Sequence, residues 1–88
     1  MTEDKNKYKT IRAIERGLNI IRILNQKGGI TTIKFLSEET QLHQATVRRI
    51  LETLTNEGYV ASNDLDPNRF ELTPKIKDLS QAFSNQIP

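Results

Sequence analysis

The stretch that decides the fold is FLSEETQLHQATVRRILETLTNEGYV, residues 35–60. Its pattern predicts two helices joined by a tight turn and followed by the start of a strand. The first helix is predicted over residues 33–40, with Thr32 as its N-cap, and the second over residues 44–56. Gly58 ends the second helix, because glycine accepts the left-handed backbone that often follows a helix.

The second helix has one apolar side and one polar side. Its apolar residues fall at i, i+3, i+4 and i+7, which predicts a buried stripe made of Val47, Ile50, Leu51 and Leu54. The polar side carries Arg48 and Arg49. A helix of this kind is how a small domain presents side chains to the DNA major groove. The alternative interpretation is a solvated face on which the arginines pair with Glu52.

A long amphipathic helix is predicted ahead of this pair, from Ile11 to the helix-ending Gly28-Gly29. Gly17 interrupts it and would permit the close approach of another helix. The helix has a wide apolar stripe, and two interpretations stay open: all of it faces the core of the chain, or part of it is covered by a partner subunit. The stripe contains Ile14, Leu18, Ile21 and Leu24, flanked by Ile20 and Ile23.

Strands and a last helix complete the pattern. Ile30-Thr31 is a candidate short strand, and residues 59–62 and 69–72 read as the two arms of a β-hairpin with a long loop. Thr73-Pro74 has the form of an N-cap followed by proline in the first turn. A last helix is expected there, with Ile76, Leu79 and Phe83 at helical spacing. The predicted fold is mainly α with a small β-hairpin, a winged helix-turn-helix.

Length and composition exclude several classes of protein. Eighty-eight residues make one small domain. With no cysteine and a single histidine, neither a disulfide framework nor a metal site is expected, and no cofactor is implied. The N-terminal segment MTEDKNKYK lacks the apolar part of a signal peptide, and no apolar run approaches the roughly 20 residues of a membrane span, so the cytoplasm is the expected location.

No enzymatic constellation is present in the sequence. There is no glycine-rich phosphate loop and no nucleophile elbow. Glu38 and Glu39 are adjacent, so their side chains diverge on a helix and read as a solvated face rather than as an acid–base pair. Non-enzymatic binding is therefore the expected activity.

Charge is unevenly distributed along the chain. The formal net charge is +2, but residues 1–50 hold ten Lys/Arg against five Asp/Glu, and residues 51–88 hold three against six. The basic half contains the helix pair, which fits a nucleic-acid partner, although a solvated basic surface has the same composition. The hairpin loop is acidic, so the wing is expected to contribute modestly, through Arg69.

A set of polar residues is expected to contact DNA if the second helix enters the major groove with its N-terminal end first. Gln44 suits adenine and an arginine suits guanine, whereas Ala45 and the Thr46 methyl group suit a thymine methyl. Hydroxyl groups and helix N-terminal amides suit phosphates. Because adjacent arginines lie about 100° apart on a helix, one is expected to read bases and the other to hold a phosphate. The full predicted set is Thr32, His43, Gln44, Ala45, Thr46, Arg48, Arg49, Asn68 and Arg69.

A series of short motifs resembles the N-terminal DNA-binding domain of IclR-type bacterial transcription regulators. The motifs are E-R-x-L-x-I-x-x-x-L, Gly-Gly before the second helix, L-x-E-x-T-x-L, T-V-R-R-I-L-x-T-L, E-G-Y-V and F-x-L-T-P-K, in this order over residues 11–83. The wording L-H-x-x-T-V-R-R-x-L-E-T-L-x-x-E-G-Y-V is especially similar to the subgroup that activates hydroxyphenylpropionate catabolism.

The resemblance implies partners and a domain organisation. It implies a homodimer or dimer of dimers on a palindromic operator, with the first helix pairing the domains through Ile14, Leu18 and Ile21. It also implies a C-terminal domain that binds small organic acids. On this interpretation residues 1–10 are a flexible arm, 11–83 the DNA-binding domain and 84–88 the start of a linker. The chain is then a piece of a longer regulator, with a natural stand-alone domain as the alternative.

The sequence departs from the family's usual pattern around the turn. The family usually has glycine at position 41, proline at 43 and serine at 45, where this chain has Gln41, His43 and Ala45. If Gln41 keeps the left-handed conformation, it costs about 1 kcal/mol. A second class of function remains open: a winged helix that contacts another protein and binds no DNA.

Overall fold

The computed structural model describes residues 8–85, and of residues 84 and 85 the backbone only. Residues 1–7 of the predicted arm and 86–88 of the predicted linker lie outside the described residues. The elements are α1 (Arg12–Gln26), β1 (Ile30–Thr32), α2 (Ile33–Thr40), α3 (Gln44–Asn56), β2 (Val60–Ser62), β3 (Arg69–Leu72), a 3-10 helix (Pro74–Ser80) and α4 (Gln81–Asn85). This is the predicted winged helix-turn-helix, and the predicted bounds of α2 and α3 are confirmed.

The α2–turn–α3 unit is held by side-chain hydroxyl groups. The Thr32 oxygen accepts a hydrogen bond from the Phe35 amide at 3.1 Å, which confirms the predicted N-cap of α2. In the turn, the Ser37 hydroxyl donates to the carbonyl oxygen of Leu42 at 2.5 Å. Gln41 adopts the left-handed conformation, with φ 62° and ψ 25°. Local hydrogen bonds therefore hold the three-residue turn, although one non-glycine residue in it has a left-handed backbone.

The strands form one antiparallel sheet in the order β1-β3-β2. Phe70 in the central strand pairs with Thr31 of β1 on one side and with Ser62 of β2 on the other. The candidate strand at Ile30-Thr31 is thus confirmed, and it widens the predicted hairpin into a three-stranded sheet. Gly28 and Gly29, both at positive φ, turn the chain from the end of α1 into this sheet.

The core lies between the three helices and one face of the sheet. Two positions of α3, Val47 and Leu51, are fully buried, and Leu36 of α2 is buried beside them. The complete core is Ile20, Ile23, Leu24, Ile33, Leu36, Val47, Leu51, Val60 and Phe70. Ile50 and Leu54, which were predicted to be buried with Val47 and Leu51, are only half-buried.

The apolar stripe of α1 is divided between two surfaces. Its core side is Ile20, Ile23 and Leu24, whereas Ile14 and Leu18 are 57% and 62% exposed. The interpretation that the whole stripe faces the core is therefore wrong for the described residues. A Cβ atom built on Gly17 would lie 4.0 Å from the nearest atom, on Ile50, so the packing of α1 within the chain does not require glycine at position 17.

The segment after the sheet differs from its prediction. Thr73 caps it and Pro74 follows, as expected, but residues 74–80 form a 3-10 helix, and only residues 81–85 are α-helical. Leu79 and Phe83 are 64% and 67% exposed. Amphipathic helices are stabilised mainly by burying their apolar face. The predicted last helix is therefore present, but it begins as a 3-10 helix, and no described element covers its apolar face.

The start of this segment is nevertheless anchored to the end of α3. The Thr73 hydroxyl donates to the Gly58 carbonyl oxygen at 2.6 Å, and Lys75 Nζ donates to the Glu57 carbonyl oxygen at 2.8 Å. Lys75 Nζ also lies 4.9 Å from the centroid of the Tyr59 ring. Among residues 8–85 there is no helix long and apolar enough to cross a membrane.

Replacing Gln41 by glycine is expected to stabilise the domain. Glycine removes the steric cost of the left-handed conformation, which is about 1 kcal/mol, and this should raise Tm by about 4–8 °C for a domain of this size. Thermal unfolding followed by circular dichroism measures the change.

Glu39→Gly is the matched control, because Glu39 is an exposed residue of α2 with a right-handed helical backbone. It should lower Tm, since glycine in a helix costs about 1 kcal/mol relative to alanine. A decrease in Tm for both variants would show that the backbone at Gln41 is not strained.

Candidate nucleic-acid interface

The burial of Val47 and Leu51 determines which side of α3 faces outward. With both residues fully buried, the helix is fixed in rotation about its own axis. Its exposed residues include Gln44, Ala45 and both arginines at positions 48 and 49. Thr46 is half-buried. The polar N-terminal end of the helix is therefore presented to solvent on a rigid support.

Arg48 lies on the side of α3 that faces the wing. Its Nη2 donates a hydrogen bond to Oδ1 of Asn68 at 3.1 Å, across 20 residues of sequence. Neither Arg48 nor Arg49 forms a salt bridge with Glu52 within the described chain. The alternative interpretation is therefore wrong about the ion pairs with Glu52. Both arginines are nevertheless exposed, as on a solvated face.

Asn68 connects three elements through three hydrogen bonds. Besides accepting from Arg48, it accepts at its backbone carbonyl from the Ile33 amide at 2.9 Å, at the start of α2. Its own amide donates to Oδ1 of Asp66 at 3.0 Å, within the β2–β3 loop. Asn68 was predicted as a DNA contact in its own right. The structure shows it connecting α3, α2 and the β2–β3 loop through hydrogen bonds.

Arg49 lies on the side of α3 next to α1. It lines a surface pocket of about 210 Å³ together with Thr46, Thr53 and Arg16. Sequence reasoning missed Arg16, because the apolar periodicity of α1 assigned it only to the polar side. The signal that identifies it is its proximity to Arg49, which depends on the packing of α1 against α3.

His43 occupies the N-cap position of α3 without capping it. Its backbone is extended, with φ −61° and ψ 147°, and its side chain makes no capping hydrogen bond. The side chain is exposed beside Gln44, at the surface of the turn. The first turn of α3 thus lacks a side-chain cap, which leaves its amide groups for water or for an anionic ligand.

Thr32 and Arg69 are neighbours in the sheet, where they are register partners of β1 and β3. The Thr32 oxygen already accepts from Phe35, so its hydroxyl proton is the group left for a ligand. Arg69 Nε lies 3.9 Å from Oδ2 of Asp66, with both side chains nearly half exposed. The carboxylate offsets part of the positive charge expected from this side chain.

An apolar groove lies beside the arginine pocket, between α1 and α3. Its volume is about 340 Å³, and it brings together the three residues predicted for dimerisation. The lining residues are Ala13, Ile14, Gly17, Leu18, Ile21, Ile50, Thr53 and Leu54. In the described part of the chain, no three His, Cys, Asp or Glu residues are grouped as a metal site.

The fold and this surface define the class of the protein: a winged helix-turn-helix domain. A family model, the IclR helix-turn-helix domain, matches residues 13–64. The chain belongs to the IclR family.

Three proteins illustrate the similarity. The Pca regulon regulatory protein of Pseudomonas putida is 33% identical over 76 residues, which are 86% of this chain and 25% of that protein. The crystal structure of a proposed transcriptional regulator from Rhodococcus sp. RHA1 shares 32% identity with a TM-score of 0.75, over 90% of this chain and 30% of that one. An IclR family transcriptional regulator from Brucella abortus, at 24% identity, has the same fold with a TM-score of 0.78. The match covers 89% of this chain and 29% of that one. The chain spans about a quarter to a third of the length of these relatives.

Removing the Asn68 side chain is expected to free Arg48. In Asn68→Ala the guanidinium loses its partner, so its side-chain NMR signal should shift and its order parameter should fall. Tm should change little, because an exposed hydrogen bond contributes about 1 kcal/mol or less to the free energy of unfolding. ¹⁵N relaxation of the Arg48 Nε group measures the effect.

Asn56→Ala is the control, because Asn56 is an exposed asparagine at the far end of α3. It should leave the Arg48 signal unchanged. Equal behaviour of Arg48 in the two variants would show that the contact with Asn68 does not hold the guanidinium in solution.

Proposed function

We propose that this chain binds double-stranded DNA in a sequence-specific manner, as the operator-binding domain of a bacterial IclR-type transcription regulator. The observation that carries the proposal is the orientation of α3. The buried pair Val47 and Leu51 exposes a polar N-terminal end that includes Gln44 and Arg48, on a domain of a regulator family. Two relatives above 30% identity are a regulatory protein and a proposed transcriptional regulator.

In this proposal the N-terminal half of α3 enters the major groove, which is about 12 Å wide and admits one helix. Gln44 pairs with adenine and Arg48 with guanine, whereas Ala45 and Thr46 contact a thymine methyl or a phosphate. His43, Thr32, Asn68 and Arg69 lie at the border of this surface, where contacts go to the DNA backbone. The wing contributes little, because Asp66 partly neutralises Arg69.

We also propose that two copies pair through the apolar groove between α1 and α3. Ile14 and Leu18 are more than half exposed although they continue the apolar stripe of α1, and with Ile21 they line one concave surface. A two-fold symmetric pair of domains fits a palindromic operator. Three further predictions belong to this proposal. They are the narrower resemblance to the hydroxyphenylpropionate subgroup, an organic-acid effector bound by a further domain, and a cytoplasmic location.

The alternative function is a winged helix that contacts a protein instead of DNA. The acidic loop around Asp64 and Asp66 is the feature in its favour. The regulator relatives and the exposed arginines of α3 favour DNA binding instead. A salt titration of duplex binding separates the two functions, because phosphate contacts release counterions and make the affinity for DNA fall steeply with salt.

Binding of the 88-residue chain to duplex DNA is expected to weaken steeply as salt is raised. Each phosphate neutralised contributes about 0.9 to the slope of log K against log salt concentration. Fluorescence anisotropy with labelled duplexes measures the slope, and selection from a random duplex pool gives the bound sequence and half-site spacing. Weak binding to every duplex, with no dependence on salt, would contradict the proposal.

Arg48→Ala is expected to relax the sequence preference at one base position by about 1–3 kcal/mol. Tm should stay near that of the unchanged chain, because Arg48 lies off the buried stripe of α3. Competition between the selected duplex and single-base variants measures the preference. Arg22→Ala on α1 is the control. A large fall in Tm, or an unaltered preference at every position, would remove Arg48 from the base-reading role.

Leu18→Glu is expected to weaken self-association about tenfold or more, because burying a leucine side chain contributes about 1.5–3 kcal/mol. Sedimentation equilibrium measures the dimer dissociation constant. Leu65→Glu is the matched control, since Leu65 is 96% exposed in the wing loop, away from the groove. If both variants associate like the unchanged chain, the groove is not the dimer interface.

A further inference from the structure

We infer that the pocket between α1 and α3 holds one phosphate group of the DNA backbone, gripped by Arg16 and Arg49. The inference rests on the proposed function. It adds Arg16 to the binding surface. It also assigns different roles to the adjacent arginines, because Arg49 would hold a phosphate and Arg48 would read bases.

The pocket is made by two helices that are far apart in sequence. From α1 come Ala13 and Arg16, and from α3 come Thr46, Arg49, Ile50 and Thr53. Arg16 is half-buried at the helix contact, whereas Arg49 is exposed. The small Ala13 side chain and the apolar Ile50 side chain belong to the same lining. Two cationic groups thus share one concave surface that no carboxylate lines.

The two guanidinium groups have no partner within residues 8–85. Other arginines of the same surface do: Arg48 donates to Asn68, and Arg69 lies near Asp66. Arg22 on α1 donates to Asn19. Two cationic side chains that line one pocket both favour an anionic ligand there. Guanidinium groups suit phosphate oxygens in particular, because their planar donors match the oxygen spacing.

The hydroxyl groups of the pocket are placed for the same ligand. Thr46 makes no hydrogen bond with its side chain in the described part of the chain, and its hydroxyl is available as a donor to a phosphate oxygen. The Thr53 hydroxyl donates to the carbonyl oxygen of Arg49 at 3.1 Å, so it belongs to the wall rather than to the ligand-binding groups.

The location of the pocket selects the DNA backbone as the source of the phosphate. An α-helix with its side chains is about 10–12 Å in diameter, so it fills a major groove about 12 Å wide. Side chains on the flanks of the helix therefore meet the phosphates that border the groove, and Arg49 lies on the flank toward α1. With a volume of about 210 Å³, the pocket is smaller than the roughly 300–1,000 Å³ usual for small-molecule sites.

The test uses the 88-residue chain with random-sequence and selected duplexes, over a range of salt concentrations. Arg16→Gln and Arg49→Gln should each weaken binding to all duplexes by a similar factor. The double variant should lower the slope of log K against log salt concentration by about 1 in total, as for the loss of a single phosphate contact. Arg22→Gln is the control, because Arg22 is an exposed arginine of the same helix outside the pocket. The melting temperature of each variant verifies that it is folded.

A second arm places a neutral methylphosphonate at successive backbone positions of the selected duplex. One position should weaken binding of the unchanged chain and have little further effect on the double variant. The inference is overturned if Arg16→Gln binds like the Arg22→Gln control, if the double variant lowers the slope by about 2, or if Arg49→Gln alters the preferred base at any position. Absence of salt-dependent duplex binding by the unchanged chain is a different result, which contradicts the proposed function itself.

Discussion

The rotation of α3 about its own axis is the constraint on which the binding surface depends. Val47 and Leu51 are one turn apart and fully buried, so the helix cannot turn without exposing both. Burial of each side chain contributes about 1.5–3 kcal/mol, more than any single exposed hydrogen bond of the surface. Every polar residue of the helix then has a fixed direction relative to the wing and to α1.

With that rotation fixed, the adjacent arginines are directed to different neighbours. Arg48 reaches Asn68, which also accepts from the start of α2 and is bonded to the wing loop. Arg49 reaches the side of α1, where Arg16 lies in the same pocket. The two arginines are adjacent in sequence but differ in their surroundings. Arg48 is held by the wing, whereas the Arg49 side chain has no partner in the described chain. The division gives each arginine its own proposed contact with DNA.

The first helix combines a core face with an outer face. Its second half supplies Ile20, Ile23 and Leu24 to the core, whereas Ile14 and Leu18 in the first half stay exposed beside the half-buried Ile50 of α3. The apolar groove and the arginine pocket share Ala13, Ile50 and Thr53 in their lining. In the proposed dimer, the partner subunit and the DNA backbone would therefore meet α1 on adjoining surfaces.

Much of the fold was determined by sequence alone, because its signals are local. The N-cap at Thr32, the bounds of α2 and α3 and the central strand at Arg69–Leu72 follow from capping chemistry and from periodicity, and each is confirmed. The last helix was predicted, but its 3-10 form and its exposed apolar face were not, because apolar spacing gives no information on whether another element covers the face. Only the tertiary structure decided the roles of Asn68 and Arg16, and the division of the stripe of α1. Those features depend on distances between residues far apart in the chain, which are set by how the helices pack and not by the pattern within any one of them.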